Sequence, residues 1–161
     1  MTISMSEMSK EQLQKEINKG LEDLKNGNVH KFEDFKKVLL CIAEGDIFLQ
    51  SGDKEKAEES YRKATTITDD KQLASKGFYK LGLLYYDFQT PEILYSKIYF
   101  ELALEYGQTD ASYYLATIYE WEKETGRFEF NSGRIEDLYQ LASEKATDEK
   151  VKKLATEKIK K

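Results

Sequence analysis

The sequence predicts an all-α protein: a right-handed α-solenoid of about three helical hairpins, with an extra N-terminal helix and a C-terminal capping helix. Pro91 is the only proline in 161 residues, and its scarcity suits long helices because proline costs about 3 kcal/mol inside a helix. Sustained apolar–polar alternation, which indicates a strand, is confined to residues 127–130. One hairpin pattern occurs twice, beginning at Phe78 and at Tyr114: a small residue precedes an aromatic, and a second aromatic then precedes an alanine by three positions.

Composition indicates a soluble globular protein of one domain, which we take to span residues 1–161. Charged residues make up 34% and apolar residues 40% of the chain, within the usual range for this class. The net charge of −5 gives no electrostatic support for nucleic-acid binding. No apolar run approaches the roughly 20 residues that span a membrane, and the first residues lack a secretory signal pattern. We therefore expect a cytoplasmic protein without nucleic-acid or membrane partners.

The N-terminal part is predicted to contain one helix that lies outside the hairpins. Residues 1–8 are expected to be disordered, and residues 9–26 to form a helix with Ser9 as its N-cap. One face of this helix carries an apolar stripe, formed by Leu13, Ile17, Leu21 and Leu24. Asn and Gly at positions 26–28 tolerate the left-handed backbone that ends helices, so we expect the helix to stop there.

Three hairpins and a capping helix are expected in the remainder of the chain, at residues 30–70, 72–106, 109–146 and 147–161. In the first hairpin, a helix from about His30 to Gln50 precedes a turn at Gly52, and its partner helix ends at Asp69 and Asp70.

Small residues at equivalent positions of the hairpins predict close helix packing. Gly45, Gly82 and Ala116 allow the two helices of a hairpin to approach each other, with Ala57 and Ser96 opposite. The aromatic residue that follows each small residue is predicted to fill the wedge between one hairpin and the next. These aromatic residues are Phe48, Tyr85 and Tyr119.

These residues resemble the tetratricopeptide repeat. The spacing of the first hairpin is similar to that of the family, including its Gly-Asp turn, and reads Gly45-x2-Phe48-x3-Gly52-Asp53-x3-Ala57-x3-Tyr61-x2-Ala64. The second hairpin opens with Phe78-x2-Leu81-Gly82-x2-Tyr85, which has Phe where the family usually has Trp. The link Ala103-x3-Gly107-x3-Ala111 is similar to the Sel-one-like repeats, relatives with tight joints between repeats. The resemblance covers residues 38–155 and implies a surface that binds partners and performs no catalysis.

The residues that usually perform catalysis or bind metals do not form a recognisable pattern. His30 is the only histidine, so a catalytic triad could use no other. Cys41 is the only cysteine and stands where a core residue is expected, so we predict a buried, inert thiol. Neighbouring carboxylates such as Glu58 and Glu59 lie on different sides of a helix and do not make an acid–base pair. We therefore expect no enzyme activity, no metal and no cofactor.

The resemblance implies that the first helix of each hairpin lines the concave side of the stack. Residues of these helices that point away from the hairpin partner are the predicted partner-binding residues: Leu49, Lys76, Tyr79, Leu83, Tyr86, Tyr113, Thr117 and Glu120. An aromatic and aliphatic floor with few charges suits an extended or apolar peptide. Relatives that grip a C-terminal carboxylate carry paired Lys and Asn on this side, whereas this chain carries Ile42, Asp46, Tyr79, Leu83, Tyr113 and Thr117.

Two structural alternatives stay open. Phe128 and Phe130 stand in a polar segment between two helices, where they could form a lid over a ligand or pack onto the adjacent helices. The N-terminal helix could fold into the concave side and fill it, which would make the predicted contact residues part of the core.

The leading functional hypothesis is a non-catalytic adaptor or chaperone-like module that binds a protein or peptide. The alternative is a homo-oligomeric structural or scaffolding protein, in which the same apolar groove or an end of the stack pairs with another copy. The oligomeric state is left open by the sequence.

Overall fold

The computed structural model describes residues 10–27, 29–127 and 132–160. These residues form eight α-helices and no β-strand. The helices are α1 Lys10–Lys25, α2 Val29–Gln50, α3 Lys54–Thr66, α4 Lys71–Leu84, α5 Ile93–Glu105, α6 Ala111–Thr125, α7 Ser132–Lys145 and α8 Glu149–Ile159.

Each helix packs mainly against its neighbours in sequence. Helices α2 and α3, α4 and α5, and α6 and α7 make three hairpins, and α8 packs against α7 at the end of the array. The predicted all-α, solenoid-like architecture is therefore confirmed, whereas the limits assigned to the three repeats stay predictions. No helix of the described ranges is long and apolar enough to cross a membrane.

Aspartate side chains begin three of the helices. Asp53, Asp70 and Asp148 each accept a hydrogen bond from a backbone N–H in the first turn of α3, α4 and α8, at 3.1, 3.1 and 2.8 Å. Helix α3 ends at Thr66, earlier than expected, because Asp70 begins α4 and does not end α3. A carboxylate satisfies the free N–H groups at the start of a helix but cannot donate to the free carbonyls at its end.

Glycines permit the close helix packing that the small-residue pattern predicts. A Cβ atom on Gly45 would lie 2.4 Å from Cε1 of Tyr61, and one on Gly82 would lie 2.6 Å from Cδ1 of Phe100. The ring of Tyr61, and not Ala57 as expected, is thus the nearest group to Gly45. Ser96 does lie opposite Gly82, since its hydroxyl donates to the Gly82 carbonyl at 2.7 Å.

The three predicted wedge aromatics are all at least half-buried, although they also pack within their own hairpins. The ring of Tyr85 stacks on Tyr99 of α5 with 5.9 Å between ring centroids. Tyr119 is buried in α6, and its hydroxyl donates to Glu101 Oε1 of α5 at 2.7 Å. Phe48 packs beside the buried Tyr61 and Leu81. Of these contacts, the bond of Tyr119 to α5 crosses from one hairpin to the next, as the pattern predicts.

The N-terminal helix α1 packs along α2 and leaves part of its apolar stripe uncovered. Gly20 faces α2, since a Cβ atom there would lie 3.1 Å from the ring of Phe32. Ile17 and Leu21 of the predicted stripe are exposed. These two residues consequently do not fill a groove in the stack. At the other end of the chain, Val151 and Ala155 bury one side of α8 against the array.

Candidate partner-binding face

We give the name first-helix face to the surfaces of α2, α4, α6 and α8, because α2, α4 and α6 each open a hairpin. Three side-chain pairs connect these helices in turn. Asp46 and Lys80 connect α2 to α4, Tyr86 and Thr117 connect the end of α4 to α6, and Glu120 and Lys158 connect α6 to α8. Each helix of the first-helix face is thus joined to the next by a polar side-chain contact.

The Asp46–Lys80 pair is buried and serves the core. The Lys80 Nζ atom lies 2.9 Å from Asp46 Oδ1, and the Tyr61 hydroxyl donates to the same oxygen at 2.6 Å. All three side chains are buried, so the negative charge is compensated inside the protein. Burial, with the bond to Asp46, raises the pKa of Tyr61 and keeps its hydroxyl protonated. Asp46 is consequently unavailable to a partner.

Tyr86 and Thr117 share a hydrogen bond of 2.5 Å in the middle of the face. The Tyr86 ring meets the Tyr114 ring edge-on, with centroids 5.2 Å apart, and Phe100 stacks on Tyr114 at 5.2 Å while its centroid lies 6.0 Å from that of Tyr86. Burial raises the pKa of Tyr86 to about 12, although the bond to Thr117 acts in the opposite direction. The half-buried rings of Tyr86 and Tyr114 therefore form an aromatic floor that packs on the buried Phe100.

Tyr79 lies beneath that floor and belongs to the core. It is 7% exposed and packs against Phe100 and Tyr114, with ring centroids 6.0 and 6.1 Å away. Its hydroxyl makes no hydrogen bond of acceptable geometry with any residue that the structure describes. Burial, and the charges of Asp110 and Asp148 nearby, raise the pKa of Tyr79 well above its ordinary value. A substitution of Tyr79 will act first on stability.

Glu120 is a partly exposed carboxylate of α6 that side chains of α7 and α8 contact. Its Oε2 atom accepts hydrogen bonds from the Tyr139 hydroxyl of α7 and the Lys158 ammonium of α8, both at 2.7 Å. The same ammonium lies 5.5 Å from the centroid of the Tyr139 ring. Tyr113 is half-buried beside them, with its ring centroid 5.9 Å from that of Tyr139.

The family comparison covers part of the first hairpin. Residues 38–71, which include most of α2 and all of α3, match the family model of the tetratricopeptide repeat. Repeats of this family build protein–protein interaction modules and are generally not catalytic. No curated protein and no solved structure matches the chain, and the likeness to the Sel-one-like subtype stays a prediction.

The structure brings some of the predicted contact residues together and separates others. Tyr86 and Thr117 touch directly, and Tyr113 and Glu120 surround Tyr139. Three other predicted contact residues, Leu49 of α2 and Lys76 and Leu83 of α4, are half-buried. Phe128 and Phe130, the predicted lid, lie outside the described residues.

Three residues that lie on this face or contact it were not among the predicted contact residues. Tyr114, Tyr139 and Lys158 line the aromatic floor or bind Glu120. Tyr114 could have been found, because it adjoins the predicted Tyr113. Lys158 was missed because it lies in a lysine-rich segment, and the charges of such segments are ordinarily solvated. Its separation of 38 positions from Glu120 is a possible signal, since it is close to the length of one tetratricopeptide repeat.

Two kinds of chemical group were considered in the described part of the chain, metal ligands and the thiol of Cys41. No group of three or more His, Cys, Asp or Glu residues is placed to hold a metal ion among those residues. Cys41 is buried in the α2–α3–α4 core, as predicted, and burial raises the pKa of its thiol. Deprotonated thiolate, the reactive form, is thereby disfavoured.

Proposed function

We propose that this protein is a non-catalytic adaptor or chaperone-like module that binds an extended or apolar peptide across the first-helix face. The observation that carries the proposal is the half-buried aromatic floor of Tyr86 and Tyr114 on the buried Phe100, with Tyr113 and Leu83 partly buried against the same core cluster. A tetratricopeptide repeat at residues 38–71 supports a protein partner. We further propose that the protein acts in the cytoplasm, as predicted from the sequence.

The arrangement of the floor favours binding for an energetic reason. Tyrosine rings that are already packed edge-on lose little conformational freedom when a partner covers them. The Tyr86–Thr117 bond holds one of these rings across two helices in the absence of a partner. Aromatic side chains of this kind offer a large apolar area together with a polar group, which is the composition that dominates interfaces.

The test selects peptides from a random library displayed on phage and titrates one selected peptide by isothermal calorimetry. Tyr113→Ala and Leu83→Ala are expected to weaken its binding about tenfold each, because each removes about 1–2 kcal/mol of interface contact. Leu94→Ala, at an exposed site on α5, is the matched control and should leave the affinity unchanged. Circular dichroism melting verifies the fold of each variant. Equal affinities for all three variants, or no enriched peptide, would refute the proposal.

A second candidate function, self-assembly, is favoured by an apolar stripe on α5. Leu94, Tyr95 and Ile98 share one side of this helix and are 44, 58 and 51% exposed. Contiguous exposed apolar surface often marks an interface. If copies pair through this stripe, light scattering over a concentration series will show a dimer that Ile98→Lys converts to a monomer. A monomer at every concentration would remove this candidate.

A further inference from the structure

We propose that Glu120 and the ring of Tyr139 form a binding site for a lysine or arginine side chain of the partner, and that Lys158 occupies this site in the free protein. This inference rests on the proposed function and specifies the partner: an extended peptide with a basic residue among apolar ones.

The Lys158 ammonium shows what the site binds. It donates to Glu120 Oε2 at 2.7 Å and lies 5.5 Å from the centroid of the Tyr139 ring. A carboxylate and an electron-rich ring face are the two groups that attract an ammonium or a guanidinium. The Tyr139 hydroxyl donates to the same carboxylate oxygen and so fixes its position. An equivalent cation from a partner would find the same groups already oriented.

Charge complementarity favours a basic partner over an acidic one. The carboxylates of Asp110, Asp148, Glu120 and Glu157 act on the tyrosines of the first-helix face, where Lys158 supplies the opposing positive charge. If the Lys158 ammonium leaves, the Glu120 carboxylate remains in the site, and the neighbouring carboxylates cannot neutralise its charge. An acidic peptide would meet repulsion there, whereas a basic residue would replace the charge that was lost.

The Lys158 contact is weak enough to be exchanged. The side chains of Lys158 and Glu120 are 36 and 33% exposed, and ion pairs of this exposure contribute little to stability because water competes for both charges. Lys158 stands in the last turn of α8, next to the exposed Ile159. Its ammonium can therefore leave the site without disturbing the buried side of α8 at Val151 and Ala155.

The chain offers a matched control for this site. Lys54 lies 2.7 Å from Glu92 and 5.0 Å from the centroid of the Tyr85 ring. Like Lys158, it therefore contacts both a carboxylate and a tyrosine ring. It joins the start of α3 to the residue before α5 and does not belong to the first-helix face. A variant at Lys54 removes an equivalent lysine contact at another place.

The experiment uses two short synthetic peptides of leucine and alanine that differ at one central residue, lysine in one and uncharged norleucine in the other. Calorimetric titration should show that wild type prefers the lysine peptide. Lys158→Met should strengthen binding of the lysine peptide by about fivefold to tenfold, because the competing ammonium is gone. Glu120→Gln should abolish the preference for lysine, and Lys54→Met should leave both affinities at the wild-type values.

The possible outcomes separate this inference from the proposed function. If both peptides bind equally to wild type and to Lys158→Met while Tyr113→Ala weakens both, the first-helix face binds peptides and the cation site is refuted. If neither peptide binds any variant, n-butylammonium and n-butanol are titrated into Lys158→Met while the ring resonances of Tyr139 are followed by NMR. Shifts with the ammonium alone would retain the cation site and refute peptide binding, and no shifts would refute both.

Discussion

At the scale of single residues, the helices of the first two hairpins are brought together by a glycine that faces an aromatic ring. Gly45 lies against Tyr61, and Gly82 lies against Phe100. The absence of a side chain lets the ring reach the helix backbone, so both rings are fully buried. Packing of this density leaves no space for an added methyl group unless a ring moves.

Gly82→Ala is therefore expected to lower the free energy of unfolding by about 2 kcal/mol, because the overpacking outweighs the better helix propensity of alanine. Urea denaturation followed by circular dichroism measures the change. The double variant Gly82→Ala/Phe100→Leu provides the control, since the smaller side chain makes room for the methyl group and should remove part of the clash. A Gly82→Ala variant that is more stable than wild type would show that the ring is free to move.

At the scale of elements, one carboxylate connects the start of α6 to the start of α8. Asp110 accepts hydrogen bonds from the backbone N–H groups of Thr147 and Asp148, at 2.8 and 2.9 Å, and from the Thr147 hydroxyl at 2.6 Å. Asp110 is 2% exposed, so these bonds form away from competing water. The position of the last helix, and with it the position of Lys158, depends on this residue.

Asp110→Ala should loosen α8 by about 2 kcal/mol, because buried N–H groups lose their acceptor. Hydrogen exchange measured by mass spectrometry is expected to become faster in residues 149–159 and to change less in α4. Asp53→Ala, which removes the N-cap of α3, is the control and should affect the first turn of α3 instead. Unchanged exchange in α8 would mean that its contacts with α7 are sufficient to hold it.

At the scale of the whole molecule, buried tyrosines make stability depend on high pH. Burial raises the pKa of Tyr86 and of Tyr114 to about 12 in the folded protein, whereas the unfolded chain has tyrosine pKa values of about 10. Between these values the unfolded state releases protons that the folded state retains. The stability contributed by the buried hydroxyls is thus complete below about pH 10 and is lost as the pH rises towards about 12.

Urea denaturation at about pH 8 and at about pH 11 should therefore show a clear fall in the free energy of unfolding at the higher pH. Tyrosinate absorbance should rise cooperatively with the loss of helix, since the buried hydroxyls ionise on unfolding. Tyr86→Phe removes one of these groups and should make the pH dependence shallower. Equal stability at the two pH values would indicate that water reaches these hydroxyls in the folded state.

Much of the fold could be predicted because its signals are local. The scarcity of proline, the Gly-Asp turn after α2 and the glycine positions in α2 and α4 each concern residues within one helix or one turn, and short-range sterics decide their conformation. The end of α3 was predicted several residues beyond its true position, Thr66, for a related reason. Asp70 is also a local signal, but it marks the start of α4, whereas we interpreted it from the sequence as the end of α3.

The candidate site was less predictable, because its residues meet across the array. Local patterns were sufficient to predict the helices, their pairing into hairpins and the concentration of tyrosine in the central repeats. The burial of Tyr79, the neutralisation of Asp46 by Lys80 and the contact of Lys158 with Glu120 are visible only in the folded chain. The members of the three bonded pairs are 34, 31 and 38 positions apart, so no periodicity within a helix specifies them. The lateral stacking of whole helices does, because it brings side chains of different repeats within hydrogen-bonding distance.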